Sequence, residues 1–219
     1  MDNVWSRDRK TPRQTLTLDR IVTEAVALLD EEGVGGLTMR RLAERLDTGS
    51  TTLYWHVKTK DDVLDLALDA VFGEVALDDL AAARDGGDWR APVRGLMGRW
   101  RAALLRHPWS ATILDRPLMG PNALGRTEFL YGTLIAAGFA APKTAAFSLA
   151  NYVMGSVIMQ VSWQRSGEPD TGAFLRERAG RYPALAGHGL EHDWDATFDE
   201  GLGYLLDGMA GARSAPDRA

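Results

Sequence analysis

Two of the four histidines stand at metal-ligand spacing, in the segment HGLEH at residues 188–192. This H-x-x-E-H order is that of the inverted zinc peptidases, in which two histidines one helical turn apart bind zinc and the glutamate activates water. Gly187 and Gly189 disfavour the helix that this geometry requires, and residues 167–193 are rich in glycine, proline and charge, which favours a loop. A metal-sensing regulator or a zinc-dependent hydrolase that uses these histidines is therefore only the alternative hypothesis.

Other catalytic patterns are missing from the sequence. There is no Walker loop, nucleophile elbow or carboxylate pair with supporting context, so neither an enzymatic activity nor a cofactor is predicted. The chain has no cysteine, which excludes disulfides and thiolate chemistry and suits a reducing compartment. No apolar run approaches the roughly 18 residues of a membrane span, and no apolar signal-peptide core follows the first charges. We therefore expect a soluble, cytoplasmic protein.

Hydroxyl, aromatic, histidine and lysine side chains are concentrated in TTLYWHVKTK, residues 51–60. At about 100° per residue, Leu53 and Val57 share one helical face and are predicted to be buried. Trp55 and both threonines point away from that face, and Tyr54 lies at its flank. These types suit contact with a negatively charged partner, although Trp55 could instead pack on a neighbouring loop.

Three predicted helices position this stretch. Apolar residues recur at three- and four-residue spacing from residue 17 until the glycines that begin at Gly33. Thr38 can cap a second helix, and the turn at residues 47–49 leads to a third at about 50–57. Two short helices joined by a tight turn and packed on a preceding helix form a helix-turn-helix.

A fourth helix follows without a flexible linker. Thr59 and Asp62 match the Ser/Thr-x-x-Asp/Glu capping pattern, and apolar residues then recur at helical spacing to Val75. The rest of the chain reads as further helices, without the sustained alternation that a sheet requires. The fold class is therefore all-α.

The net charge of −5 is unevenly distributed. Basic residues outnumber acidic ones over residues 1–60, whereas acidic residues predominate over residues 61–219. Any contact with a polyanion is therefore expected in the first part, which begins with a basic leader that reads as a mobile arm.

The sequence LTMRRLAERLDTGSTTLYWHVKTKDDVLDLAL, residues 37–68, resembles the DNA-binding domain of the TetR family of transcriptional repressors. The later motifs ALLRHPW, RPLMGPNAL, AAGF and FDEGLGYLLDGM are similar to the tetracycline-repressor-like effector and dimerisation domain. The resemblance implies a ligand-responsive repressor. The expected organisation is a flexible basic arm at 1–15, a helix-turn-helix domain at 16–60, a helical ligand-binding and dimerisation domain at 61–213 and a disordered tail at 214–219.

The resemblance also carries over candidate DNA contacts. They are Thr38, Arg40, Ser50, Thr51, Thr52, Tyr54, Trp55, His56 and Lys60. Arg40 is the candidate for a bidentate guanine contact, and His56 either contacts a base or holds the helix to a phosphate. Ser50 and Thr51 stand where the tetracycline repressors have Gln-Pro, so the operator sequence cannot be copied across.

A ligand pocket in a helical domain needs apolar walls with a few polar groups. The candidate lining residues are Trp100, Leu104, His107, Trp109, Ile113, Met119, Phe129, Phe147, Tyr152, Met154 and Trp163, each of which could instead be ordinary core. The histidine and glutamate that grip magnesium-tetracycline in the resembling family fall near Thr112 or Ile113 and on Met159. Ile and Met supply no oxygen ligand, so an apolar or aromatic effector is predicted and tetracycline is not.

The resemblance further implies a homodimer on a near-palindromic DNA operator. Small and polar residues on the predicted helix 142–163 suit close approach of a second copy, and the last helix would complete a four-helix bundle between two copies. The candidate interface residues are Ser148, Asn151, Gly155, Ser162, Phe198, Leu202, Leu205 and Met209.

Overall fold

The computed structural model describes residues 16–84, 87–167, 170–191 and 193–211, with the side chains of residues 83 and 84 left out. Every α or β element within these ranges is a helix, so the all-α prediction is confirmed. The predicted arm at 1–15 and tail at 214–219 lie outside the described residues. The chain divides into two units between Ala67 and Leu68, and not after residue 60 as predicted, because the first two turns of the fourth helix belong to the first unit.

The first unit contains the three predicted helices and the start of a fourth. They are α1 (Leu18–Gly36), α2 (Met39–Arg45), α3 (Ser50–His56) and α4 (Lys60–Gly73). The hydroxyls of Thr17 and Thr38 each accept the backbone N–H three residues later at 3.2 Å, and so cap α1 and α2. Helical geometry is interrupted inside α1 at Gly33, whose φ of 68° suits glycine.

The turn between α2 and α3 depends on Asp47. Its φ of 47° is in the left-handed region, which aspartate tolerates better than most side chains. Gly49, which the sequence marks as the turn residue, has φ −78° and precedes the first turn of α3. The turn is closed by the Thr48 N–H, which donates to the Ala43 carbonyl at 3.0 Å. The aspartate therefore makes the reversal, and the glycine begins the next helix.

The second unit is a helical bundle that continues from α4. Its helices are α5 (Asp78–Arg84), α6 (Arg90–Arg106), α7 (Pro121–Ala136), α8 (Pro142–Ser166), α9 (Thr171–Arg176), α10 (Pro183–His188) and α11 (Trp194–Ala210), with a 3₁₀ turn at Pro108–Thr112. Helix α8 packs against α6, α7 and α11. Its buried side is lined by Ala145, Ala146, Leu149, Val153, Val157, Gln160 and Val161.

Helix α8 corrects one expectation from the sequence. Over Pro142–Ser166 it is long and apolar enough to cross a membrane by length and composition alone, although no such run was expected. A core helix of a soluble protein has the same length and composition, and α8 packs on three other helices of its unit. On this evidence α8 is a weak indication of a membrane span.

Arg101 joins three of the packed helices. From α6 its guanidinium donates to Gln160 of α8 at 2.5 Å and to Asp195 of α11 at 2.6 Å, and it lies 4.8 Å from the ring of Phe198. The arginine is buried, as is Gln160. Buried polar groups are stable only when they have partners, so this network fixes the register of α6, α8 and α11.

Replacing Arg101 with alanine should lower the free energy of unfolding by about 2 kcal/mol, because buried Gln160 would lose its partner. Arg94→Ala is the matched control, since Arg94 reaches α11 only through an exposed bond to the Asp199 carbonyl. Its effect should stay within about 0.5 kcal/mol. Urea unfolding followed by circular dichroism measures both, and equal losses would show that burial of the Arg101 network contributes nothing.

Candidate DNA interface and ligand cavity

Helix α3 presents the face that the sequence predicts. Leu53 and Val57 are 0% and 2% exposed, so they anchor the helix within the first unit. Trp55 is 79% exposed and Tyr54 44%, and the remaining α3 candidates Ser50, Thr51, Thr52 and His56 are also exposed. Hydroxyl, aromatic and imidazole groups thus share one solvent-facing surface, which is the arrangement needed to reach a groove of DNA.

Arg40 differs from the other arginines of α2. Its Nε donates to Glu44 on the same helix at 2.9 Å, and both side chains are mostly exposed. Arg41 pairs with Glu32 and Arg45 with Glu31, both on α1. An exposed pair is worth little in water, so Arg40 can exchange its carboxylate for another acceptor at small cost. Thr38 is exposed beside it, although its hydroxyl is engaged as the α2 cap.

The exit from α3 is held by reciprocal capping bonds. Asp62 accepts the backbone N–H groups of Lys58 at 2.8 Å and Thr59 at 3.0 Å, and the Thr59 hydroxyl accepts the Asp62 N–H at 3.0 Å. The capping pattern is therefore confirmed. Lys60 follows, and its ammonium donates one of its three protons to the Val34 carbonyl at 2.7 Å, which leaves two for another acceptor.

The second unit contains an apolar cavity of about 400 Å³ among α6, α7 and α8. This volume lies within the range of small-molecule sites. Two of its lining residues, Phe147 and Leu124, are 56% and 46% exposed. Its lining residues are Leu96, Met97, Trp100, Pro117, Leu118, Leu124, Arg126, Thr127, Leu130, Tyr131, Ala146, Phe147, Ala150, Asn151 and Met154.

Three of the eleven predicted ligand residues line this cavity, namely Trp100, Phe147 and Met154. Leu104, Trp109, Ile113 and Phe129 are buried elsewhere in the second unit, and Met119 is 70% exposed. Trp163 packs edge-on against Trp194, and Tyr152 stacks on Phe198. The remaining candidate, His107, bonds Glu74 at 2.9 Å. Asn151, assigned from the sequence to the dimer face, lies in the cavity wall.

The Glu74 carboxylate joins the end of α4 to the end of α6. It follows α4 and accepts hydrogen bonds from Arg106, at 2.5 Å, and from His107. Burial raises the pKa of its carboxyl, but the bonds from Arg106 and His107 outweigh burial and leave the pKa below its usual value. His107 therefore belongs to an ion-paired cluster and not to the cavity.

Arg126 is a buried cation in the cavity wall that was not predicted from the sequence. It is 5% exposed, and its guanidinium carbon lies 3.4 Å from the ring centre of Trp100 and 4.5 Å from that of Phe72. Burial lowers its pKa to about 9, and the negative charge of Asp69 opposes that shift. A signal was available, because Arg126 interrupts the apolar stripe Ala123, Leu130 and Leu134 on α7.

Part of the predicted dimer surface is exposed in the single chain. Ser148, Asn151 and Ser162 are exposed along α8, with Gly155 half-buried between them. Phe198 and Leu202 of α11 are 4% and 0% exposed in the single chain, so they have no surface left for a second copy. Assigning these two residues to the interface was wrong, because near-heptad spacing identifies an apolar face without saying which neighbour covers it. Leu205 and Met209 keep part of their surface exposed.

The HGLEH segment leaves helical geometry after its first residue. Helix α10 includes Gly187 and ends at His188, and Gly189 then takes a φ of 76°. Glu191 accepts a bond from the Thr171 hydroxyl at 3.3 Å, and His192 lies outside the described residues. Within the described ranges, no three histidine, aspartate or glutamate side chains gather as a metal site would require.

Family models of related regulatory proteins match both units of the chain. The family model described as "Bacterial regulatory proteins, tetR family" matches residues 21–67, and "Tetracyclin repressor-like, C-terminal domain" matches residues 82–212. An HTH-type transcriptional regulator of Saccharopolyspora erythraea is 49% identical over 94% of this chain and 91% of its own length. The HTH-type transcriptional repressor DrrR1 of Streptomyces coeruleorubidus is 34% identical over 95% and 84%.

A solved structure agrees with these relatives. The Streptomyces coelicolor TetR family protein ActR in complex with actinorhodin has a TM-score of 0.78 and 32% identity, and the match covers 91% of this chain and 99% of that one.

The capping bonds at Asp62 predict a pH-dependent stability. The N–H of Lys58, then the hydroxyl and N–H of Thr59, lower the pKa of Asp62 below 3.8. Because the folded-state pKa is depressed, the stabilisation is full above the ordinary value and is lost as the pH falls through the folded value. Asp62→Ala should lower the melting temperature at neutral pH, and its difference from the unsubstituted protein should shrink below pH 3.8.

Thr17→Ala is the control, because it removes an uncharged cap whose loss should not depend on pH. Differential scanning calorimetry across the acid range measures both variants. A decrement for Asp62→Ala that stays constant with pH would contradict a role for the carboxylate charge.

Proposed function

The chain belongs to the TetR family and is a ligand-responsive, DNA-binding transcriptional regulator and not an enzyme, and on that premise we propose that it represses its target genes until an apolar or aromatic molecule enters the α6–α8 cavity. The observation that carries this proposal is the apolar cavity in the second unit, about 400 Å³ in volume. DrrR1, a relative over most of the chain, is itself named a repressor.

On the DNA side, the exposed face of α3 and the start of α2 make the proposed contacts. Hydroxyl groups of Ser50, Thr51 and Thr52 and the phenol of Tyr54 bind phosphates or base edges. Arg40 leaves Glu44 for a guanine or a phosphate, which its exposed pairing permits. Trp55 supplies an apolar surface, and Lys60 offers its remaining donors to the backbone.

Two charge-removing variants test these contacts. Arg40→Ala and Lys60→Ala should each weaken binding to a duplex that the protein itself selects from a random DNA pool. If a residue contacts a phosphate, the slope of log affinity against log salt should become shallower by about 1. The matched control is Arg178→Ala, which removes an exposed, ion-paired arginine from the second unit. Fluorescence anisotropy across salt concentrations measures all three, and an unchanged slope for Lys60→Ala would reject a phosphate contact there.

The effector proposal follows from the chemistry of the cavity wall. Aliphatic and aromatic side chains form most of it, and the described lining contains neither a carboxylate nor a histidine to hold magnesium. Met159 is 62% exposed and lies outside the lining. These features support an apolar or aromatic effector and argue against magnesium-tetracycline, even though a similar structure contains minocycline.

A homodimer is the assembly that the family typically forms, and we propose that two faces build it here. One is the exposed stripe of α8 with Ser148, Gly155 and Ser162, where small side chains permit close helix packing. The other is the outer side of α11 at Tyr204 and Leu205, since Tyr204 is 69% exposed. A two-fold dimer suits a near-palindromic operator, and a cytoplasmic location fits a member of a family of bacterial regulatory proteins.

The proposed switch runs through α4, a single helix from Lys60 to Gly73. Within the second unit, the Asp69 carboxylate accepts the Ala123 N–H at 2.9 Å, and Phe72 lies under Arg126 of the cavity wall. A ligand that displaces this wall changes how the C-terminal part of α4 packs in the second unit. The N-terminal end of the same helix begins at the exit of α3. The ligand must bind the DNA-incompetent state more tightly, by about 1.4 kcal/mol for each tenfold loss of DNA affinity.

Filling the cavity should separate DNA binding from the response. Ala150 lines the cavity and is half-buried, so Ala150→Phe places an aromatic ring in the space a ligand would use. The variant should bind the selected duplex with unchanged affinity and fail to be released by compounds that release the unsubstituted protein. Lys143→Phe is the control, because Lys143 is exposed on the same helix, outside both the cavity lining and the proposed dimer stripe. Full release of Ala150→Phe would show that the effector binds elsewhere.

A further inference from the structure

Arg126 is the only charged side chain in the described lining of the cavity. It is 5% exposed, and its Nη1 has no hydrogen-bond partner. A buried cation is costly unless it is paired and hydrogen-bonded. Arg126 therefore belongs to the wall of an apolar space large enough for a small molecule, and its Nη1 is a buried donor without a partner.

The groups around Arg126 stabilise its charge without using its hydrogen bonds. The faces of Trp100 and Phe72 attract the guanidinium at 3.4 Å and 4.5 Å, and the two rings meet edge to face with centres 6.1 Å apart. The Asp69 carboxylate is the nearby anion that acts on Arg126, but its oxygens accept bonds from Asn122 and Ala123 at the start of α7. No ion pair joins Arg126 to Asp69 among the described residues.

Arg101 is a second buried arginine of the same unit, and its terminal nitrogens are paired although its Nε has no hydrogen-bond partner. It is 7% exposed, similar to Arg126, yet its two terminal nitrogens donate to Asp195, Gln160 and the Trp194 carbonyl. The terminal nitrogens of Arg101 join three helices, whereas the terminal Nη1 of Arg126 has no hydrogen-bond partner. Arginine is charged at neutral pH, and its planar donors match a carboxylate.

We propose that Arg126 is the anion-recognition residue of the effector site, so that the effector joins a carboxylate or a similarly delocalised oxygen anion to an apolar, ring-bearing body. This inference rests on the proposed role of the cavity as the effector site. The anion pairs with the guanidinium while the body contacts Leu96, Leu130 and Met154 of the wall. Thr127, Tyr131 and Asn151 are the uncharged polar residues of the lining that can orient further groups.

The test uses the full-length protein with two probes of the same shape, anthracene carboxylate and anthracene carboxamide. Isothermal titration calorimetry at neutral pH should give at least about tenfold tighter binding for the carboxylate, because only the anion makes a charge-assisted bond with Arg126. Arg126→Gln should bind the two probes equally. Arg126→Lys retains a positive charge without the planar pair of donors and should keep part of the preference.

The outcomes separate this inference from the function on which it rests. Equal affinity of the unsubstituted protein for both probes would overturn the anion site and leave an apolar effector cavity standing, and this comparison needs no variant to fold. A carboxylate preference that survives in folded Arg126→Gln would also overturn it. Binding of neither probe, or equal binding of both by Ala150→Phe and the unsubstituted protein, would reject the cavity as the effector site and the anion site with it.

Discussion

The Asp69 carboxylate joins α4 to the start of α7, and the cavity wall of the second unit is built around this contact. Helix α7 begins with Gly120 and Pro121, which provide no capping side chain, so its first N–H groups need an acceptor from elsewhere. The Asp69 carboxylate of α4 accepts from the N–H of Asn122 at 3.3 Å and of Ala123 at 2.9 Å. A side chain at Gly120 would overlap this carboxylate, so the close approach requires glycine. The same contact sets Phe72, one turn further along α4, against the cavity wall.

Next to the Asp69 contact, three side chains pack together at the cavity wall, where we propose that the ligand binds. Phe72 of α4, Trp100 of α6 and Arg126 of α7 are in mutual contact, so three helices meet where the cavity is lined. Each cation–π contact stabilises the arginine by about 0.5 to 2 kcal/mol. Under the proposal for Arg126, these contacts stabilise the arginine until a ligand brings a negative charge.

The first unit, which carries the candidate DNA contacts, has a different electrostatic requirement. It must present positive charge to a polyanion although it contains many acidic residues. Glu24, Glu31 and Glu32 of α1 are paired with Arg41 and Arg45, so these acids hold α2 in place. Arg40 is left with an exposed partner on its own helix. The candidate DNA surface therefore depends on which arginines are already paired with carboxylates of α1. The net charge of the chain does not indicate where this surface lies.

The family could be recognised from the sequence because the residues that mark it lie close together in the chain. Capping residues, the tight turn and the apolar anchors of the third helix lie within one short stretch, so spacing alone gave the correct faces of Leu53, Val57 and Trp55. The same locality gave the capping bonds of Thr59 and Asp62 and the all-α class.

Only the tertiary structure decided which helix faces meet each other. An apolar stripe shows that a face is covered but not by what, and so Phe198 and Leu202 proved to be core rather than interface, and eight of the eleven predicted ligand residues lie outside the cavity lining. From the sequence alone, Arg126 would be expected to be exposed to solvent because it is charged. Long-range packing of α4, α6 and α7 buried it beside Phe72 and Trp100, because the environment of a side chain depends on neighbours that are distant in the sequence.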